Sequence, residues 1–332
     1  MASIRAIIGA TGRGAAAIMG GIDPLVRLLL VAIVLASLFP AAGPARAVAQ
    51  GVSYVAIFVL FLLNGLRLPR QDVWRGLGHV RFLMPLALWS FGAMALIGLG
   101  LARIADGWMP AQVALGLLFL GVLPSTVQSA TAYSSLAGGN VAASVVAAAA
   151  LNLAGVFFSA PLFSLLAGGE SAPFDVAALE RIALILLLPF ALGQLLQGWI
   201  GPWVRDHRRA ATWMDRSSIA IAVYVAFSGA VEQGLWGQVD GAAWAALIAL
   251  VAVFLVAGFG GAWLVSGAIR LELPDRKAFL FAGGQKSIAL GAPLASVLFP
   301  PAVAGLLLLP VLAYHLLQLV ISAPLAARLS RR

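Results

Sequence analysis

Charge is scarce in this sequence, and cysteine is absent. Of 332 residues only 10% are Asp, Glu, Lys or Arg, against 62% apolar. A soluble domain carries roughly 25% charged residues, so this chain cannot cover a water-facing surface. A soluble enzyme, a disordered chain and a nucleic-acid module are excluded, and no nucleic-acid partner is expected. The lack of cysteine removes disulfides, thiolate metal sites and cysteine nucleophiles. His79, His207 and His315 stand far apart in sequence and suggest no metal cluster. The G-x-x-x-x-G-K-[ST] nucleotide loop and the H-E-x-x-H zinc motif are also missing. No catalytic residue and no resident cofactor or metal are therefore expected; the chain reads as a non-enzyme.

What the sequence has is long apolar runs. LVRLLLVAIVLASLF (25–39) is continuously apolar, whereas a transmembrane barrel shows short alternating segments. A helix needs about 20 mostly apolar residues to cross the bilayer core. Candidate spans lie at 24–43, 47–66, 80–103, 108–137, 139–167, 177–201, 213–235, 241–269, 275–299 and 301–327. The expectation is an all-α membrane protein of ten transmembrane helices, with the lipid bilayer as partner. Arg5, Arg13 and Arg27 before an apolar run that ends in Ala45-Arg46-Ala47 imitate a signal peptide. The basic region is long and the run is near spanning length, so it reads as a retained first helix.

The net charge of +9 is mostly topology. With the N-terminus in the cytoplasm and alternating sides, only Arg46, Arg103 and Arg181 fall on the opposite side, and Lys286 falls inside a span. All other Lys and Arg become cytoplasmic, as the positive-inside rule asks. Both termini are then cytoplasmic. The run Arg205-Asp206-His207-Arg208-Arg209 serves as a topology determinant or as a site for lipid head groups.

A division into two five-span halves, 1–201 and 202–332, is expected, with the polar loop 202–212 as its boundary. An odd number per half makes the second half inverted relative to the first, a common construction of secondary transporters. The fourth and ninth spans are both interrupted, at Pro124-Ser125-Thr126 and at Gly283-Gly284. Each resumes with a Gln, a Ser and small residues. Proline removes a backbone donor and glycine weakens a helix. Non-helical backbone at that depth is tolerated only inside protein or beside a water-filled cavity. Two breaks in matching positions point to a binding site at the midplane, where half-helix N-termini attract anions and unwound carbonyls attract cations.

The candidate substrate- or ion-binding residues follow from this. Gln128, Ser129, Thr131, Gln285 and Ser287 lie at the breaks. Asn64, just before Gly65, reaches the site or caps a helix end. Ser144, like Tyr133 and Asn152, lines the cavity or bonds between helices. Lys286 is a full charge well inside a span, at a cost of about 2.5–3.5 kcal/mol. It is a proton carrier, a counter-ion for substrate or a fixed substitute for a bound cation. His315 and Gln318, one turn apart in the last span, form a relay or a structural bond.

Three stretches carry a family resemblance. Gly121 to Ser129 (GVLPSTVQS) followed by Ala137 to Ala143 (AGGNVAA), Phe281 to Gly291 (FAGGQKSIALG) and Phe58 to Leu68 resemble the bile acid:sodium symporter family, more closely its bacterial SBF-like branch within the cation/proton antiporter grouping. The resemblance covers nearly the whole chain. It implies two inverted five-helix repeats, a panel and a core domain, alternating access for a small organic anion, and a bacterial inner-membrane location. In sodium-coupled members the cation ligands are a Ser-Asn pair in the fourth helix, hydroxyls in the fifth, and a Glu and a Gln in the ninth. Here the corresponding positions are Ala130-Thr131, Ser144 and Ala148, Phe281 and Gln285, and Lys286 stands where an Asn follows that Gln. Coupling to Na⁺ or to H⁺ therefore stays open, with Lys286 as a cation surrogate. A cation/proton antiporter without organic substrate and a non-transport membrane scaffold are the rival readings, and a homo-oligomer is left open.

Overall fold

The computed structural model describes residues 23–68, 79–168 and 180–331. Arg5 and Arg13, the basic residues Arg70 and Arg75, and Arg332 lie outside the described residues. Thirteen helices follow one another: α1 Pro24–Leu38, α2 Pro44–Arg67, α3 Val80–Ala105, α4 Ala111–Val122, α5 Gln128–Leu136, α6 Val141–Ala167, α7 Glu180–Asp206, α8 Arg208–Glu232, α9 Leu235–Gln238, α10 Gly241–Ala268, α11 Leu273–Gly284, α12 Ile288–Leu298 and α13 Pro301–Leu329. No strand occurs among the described residues. Six helices, α2, α3, α6, α7, α10 and α13, are long and apolar enough to cross a membrane.

Local sequence sets the helix ends. Prolines open α1, α2 and α13 at a position where a missing N–H costs nothing. Asp23, Asn140 and Asp240 cap α1, α6 and α10 through side-chain oxygens that accept from Leu25, Ala143 and Ala243 N–H at 2.7, 3.0 and 2.8 Å. α6 ends on Gly168 at φ +79°, a left-handed position suited to glycine.

Two expectations are corrected. The first candidate span, 24–43, is a helix only to Leu38, 15 residues. Pro40 and Gly43 break the helix before α2 begins at Pro44. The loop expected at 202–212 is almost entirely helical: α7 runs to Asp206, α8 starts at Arg208, and His207 alone separates them. Its charges mark where the helices leave the apolar zone, and Lys, Arg and Asp carry no bar to helix there.

The helices pack in two groups. In the first, α8 lies on α1 and α2, and α2 lies on α7. α2 and α8 are antiparallel and tied at both ends by ion pairs, Arg46 with Glu232 and Arg67 with Asp215. α2 and α7 cross closely. A Cβ on Gly65 would lie 2.3 Å from the Phe190 carbonyl oxygen, and one on Gly193 would lie 2.3 Å from that of Leu62. In the second group α3 packs on α4, α10 on α11, α13 on α4, and α6 on α4, α5 and α11. These pairs correspond between the halves: α3–α4 with α10–α11, and α2–α7 with α8–α1. The groups meet where α8 packs on α12 and α13. That seam is built of small residues, Ala222, Ala226 and Gly229 on α8 against Pro301 and Gly305, with the Ser296 hydroxyl donating to the Ala222 carbonyl at 3.4 Å.

The Gly65–Gly193 crossing is directly testable. Gly193→Val should force α2 and α7 apart and cost about 1–3 kcal/mol or more, read as a lower thermal midpoint of the detergent-purified protein. Gly198→Val on the same helix meets open space and should leave the midpoint unchanged; equal effects would argue against a close crossing.

Candidate functional site at the two helix breaks

Between α4 and α5 the chain runs extended from Leu123, and between α11 and α12 it runs extended through Gln285 and Ser287. The two unwound segments are joined backbone to backbone: Ser287 N–H donates to the Pro124 carbonyl at 2.9 Å. Each break leaves helix-terminal carbonyls without intrahelical partners, and side chains donate to several of them.

Lys286 supplies three donors. It is 1% exposed, and its ammonium donates to the carbonyls of Ser90 at 3.0 Å, Gly121 at 2.8 Å and Leu123 at 2.7 Å. An ammonium has three protons, so this one is fully used. Two of the acceptors lie at the C-terminal end of α4, the negative pole of that half-helix. The third belongs to a π-helical stretch in α3, Leu88–Ala93, where the widened turn leaves the Ser90 carbonyl facing the lysine. Snorkelling to a membrane surface is ruled out by this burial.

Other side chains take further carbonyls. Ser159 donates to Val122 at 2.8 Å and Asn152 to Ser125 at 2.7 Å. At the end of α11, Trp89 Nε1 donates to Gly283 at 3.1 Å and the Tyr314 hydroxyl to Gly284 at 2.5 Å. Gln318 clamps the lysine backbone from both sides. Its Oε1 accepts from Lys286 N–H at 2.8 Å, and its Nε2 donates to the Lys286 carbonyl at 3.1 Å. The same Nε2 lies 2.9 Å from His315 Nδ1; as the amide donates, that ring nitrogen accepts, which puts the imidazole proton on Nε2.

A hydroxyl–amide cluster bridges the halves beside the lysine. Gln285 Oε1 accepts from Thr126 Oγ1 at 2.5 Å and Ser129 Oγ at 2.7 Å, and Gln285 Nε2 donates to Ser322 Oγ at 3.0 Å. Thr126 also accepts from the Ala130 N–H at 3.2 Å, stabilising the start of α5.

Of the residues expected at the site, Ser129, Gln285, Lys286 and Ser287 meet here. Ser287 serves as the cap of α12, accepting from Leu290 N–H at 3.3 Å. Thr131 and Ser144 carry buried hydroxyls without hydrogen-bond partners. Gln128 is exposed at the start of α5, and Asn64 is exposed on α2; neither bonds to the cluster. Tyr133 donates to the Leu319 carbonyl at 3.2 Å. Sequence reasoning missed Thr126, Ser322, Trp89, Ser90 and Tyr314. The spacing of Gln318 and Ser322 by four on one face of α13 was the available signal for one of them.

A chain of long apolar helices with two mutually satisfied breaks is a multi-pass membrane protein of transporter type. Residues 23–331 match the SBF-like CPA transporter family, and the chain belongs to that family. An uncharacterized protein of Pseudomonas aeruginosa is 36% identical over 314 residues, 93% of each chain. A protein of Escherichia coli (strain K12) named "Putative symporter YfeH" is 35% identical over 94% of each. "Sodium/bile acid cotransporter 7" of Mus musculus is 22% identical over 82% of each.

The lysine's role in holding the breaks has a measurable consequence. Lys286→Met should orphan three carbonyls at about 1–3 kcal/mol each and lower the thermal midpoint far more than Ser322→Ala, which removes one neutral bond. Matching midpoints for the two variants would show that the ammonium does not hold the breaks.

Proposed function

We propose that the chain is a secondary transporter of a small organic anion, a carboxylated or sulfonated metabolite, working by alternating access with Na⁺ or H⁺ as coupling ion. Lys286 acts in it as a permanent cation at the crossing of the broken helices. The observation that carries this is the ammonium seated on Ser90, Gly121 and Leu123 carbonyls. Unwound carbonyls of this kind otherwise draw cations in transporters, so one cation position is filled by the chain itself. Thr131 and Ser144, with buried unpartnered hydroxyls, remain for a coupling ion or the water that carries a proton. The anion sits at Gln128, where α5 begins without a side-chain cap from Val127 and its dipole presents positive potential. Asn64, exposed on α2, is a further ligand in this reading. No Asp or Glu is among the buried polar residues of the described chain, which disfavours an antiporter titrating a buried carboxylate.

The layout in the membrane is ten crossings in two inverted five-helix repeats, with both termini cytoplasmic in a bacterial inner membrane; six of the ten candidate spans precede residue 202, so the repeats divide between α6 and α7 and not at the expected boundary of 1–201 and 202–332. The corresponding helix pairs, the matched breaks, the one-sided distribution of Lys and Arg and the two bacterial relatives support it.

Uptake into proteoliposomes under separate Na⁺ and H⁺ gradients tests the coupling: one of the two gradients should drive accumulation of the anion. Flux of cations against protons with no organic substrate present would overturn the proposal. Gln128→Ala should cut uptake roughly tenfold, the worth of a hydrogen bond to a charged group, at an unchanged thermal midpoint. Because the chain has no cysteine, single cysteines report the layout: His207→Cys should react with an impermeant maleimide only from the cytoplasmic side, and Gly107→Cys only from the other.

A further inference from the structure

The start of α8 carries a feature that the transport reading does not use. Arg208, Arg209, Thr212, Trp213 and Arg216 line a groove of about 300 Å³. Arg208, Arg209 and Trp213 are exposed. The ion pairs among the described residues are Arg46–Glu232 and Arg67–Asp215; Arg216 shares the charge of Asp215 with Arg67, while Arg208 and Arg209 take part in neither pair.

This arrangement is electrostatically unfavourable on its own. The first turn of α8 has no acidic residue and no side-chain cap, so Arg208 and Arg209 stand at the positive end of the helix dipole. Arg216 lies with its guanidinium 5.9 Å from the Trp213 ring, and its Nε is buried without a partner. Three like charges and an uncapped helix start meet at one groove, and an anion with several acceptor oxygens relieves both.

The surroundings identify the source of that anion. Trp199 and Trp203, exposed near the end of α7, and Trp213 near the start of α8 are at the same end of the bundle, and exposed tryptophans gather at the level of lipid head groups. Met214, also exposed, follows Trp213. A groove of arginines opening beside exposed apolar side chains suits a ligand with a charged head and an apolar body. We propose that this groove is a binding site for the phosphodiester head group of an anionic phospholipid, held by Arg208, Arg209 and Arg216. The inference is independent of substrate and coupling ion, and it is unaffected by which leaflet faces this end of the chain.

The test uses the full-length protein in nanodiscs. Binding of phosphatidylglycerol, measured by native mass spectrometry against a phosphatidylcholine background, should weaken roughly tenfold or more in the triple variant R208Q/R209Q/R216Q, since each basic residue near an anionic surface contributes on that scale. The control R270Q/R328Q/R331Q removes the same charge from other positions and should leave binding nearly unchanged. Arg216→Lys should recover only part of the loss, because an ammonium lacks the forked donors. Equal losses in the two triple variants would overturn the site in favour of general surface charge. Equal occupancy by phosphatidylcholine would overturn it as well. So would displacement of the lipid by inorganic phosphate at millimolar concentration, which would make this a site for a soluble anion. The thermal midpoint in phosphatidylcholine alone separates a folding defect from lost binding, and it should be the same for all variants.

Discussion

A charge buried among carbonyl oxygens is the constraint on which this architecture rests. Two helices are interrupted inside an apolar bundle, and interruption strands backbone oxygens where water and lipid cannot serve them. Lys286 answers for two of these, Gly121 and Leu123, and for the Ser90 carbonyl of α3 at once. The cost of burying an ammonium is offset because hydrogen bonds to a charged group contribute about 1.5–3 kcal/mol each. Around it, Ser159, Asn152, Trp89, Tyr314 and Gln318 bond to further backbone groups from three other helices. The crossing is therefore a polar core, and α3, α4, α6, α11, α12 and α13 are positioned by it as much as by their apolar faces.

Membership of the SBF-like CPA transporter family gives this core its context. A bound ion can leave, and its departure changes the charge at the crossing. A lysine of the chain cannot leave. The group that occupies these carbonyls is thus part of the covalent chain. Thr131 and Ser144 are among the buried hydroxyls with hydrogen-bonding capacity to spare.

Much of this was legible in the sequence, for identifiable reasons. Apolar runs located the helices because hydrophobic length is a one-dimensional property. Pro124 located one break because proline acts on its own backbone, whereas Gly283-Gly284 stay helical at the end of α11 and the unwound residues are the three that follow, Gln285 to Ser287. Lys286 stood out because a charge in an apolar run has no local explanation. What stayed hidden depends on three-dimensional registry. The π-helical stretch in α3 has no signature in Leu88–Ala93, yet it presents the Ser90 carbonyl. Tyr314 and Trp89 resemble ordinary apolar packing residues until their polar tips are seen on Gly284 and Gly283. The loop 202–212 misled because its charges were taken as a sign of irregular backbone, whereas helices continue readily through charged residues at a bundle's end. The early stop of α1 at Leu38 shows the opposite error, apolar residues continuing past the end of a helix.

The seam between the two packing groups has a mechanical consequence. Interlocked large side chains act as teeth, and moving one helix past another then requires them to disengage. Along α8 the surface toward α12 and α13 is made of Ala222, Ala226 and Gly229, against Pro301 and Gly305, and carries few teeth. α8 is meanwhile braced to α2 at both ends by ion pairs. A stretch of α8 thus meets its neighbours through small side chains while both ends of the helix are held to α2, so close backbone approach on one face is combined with electrostatic bracing on another.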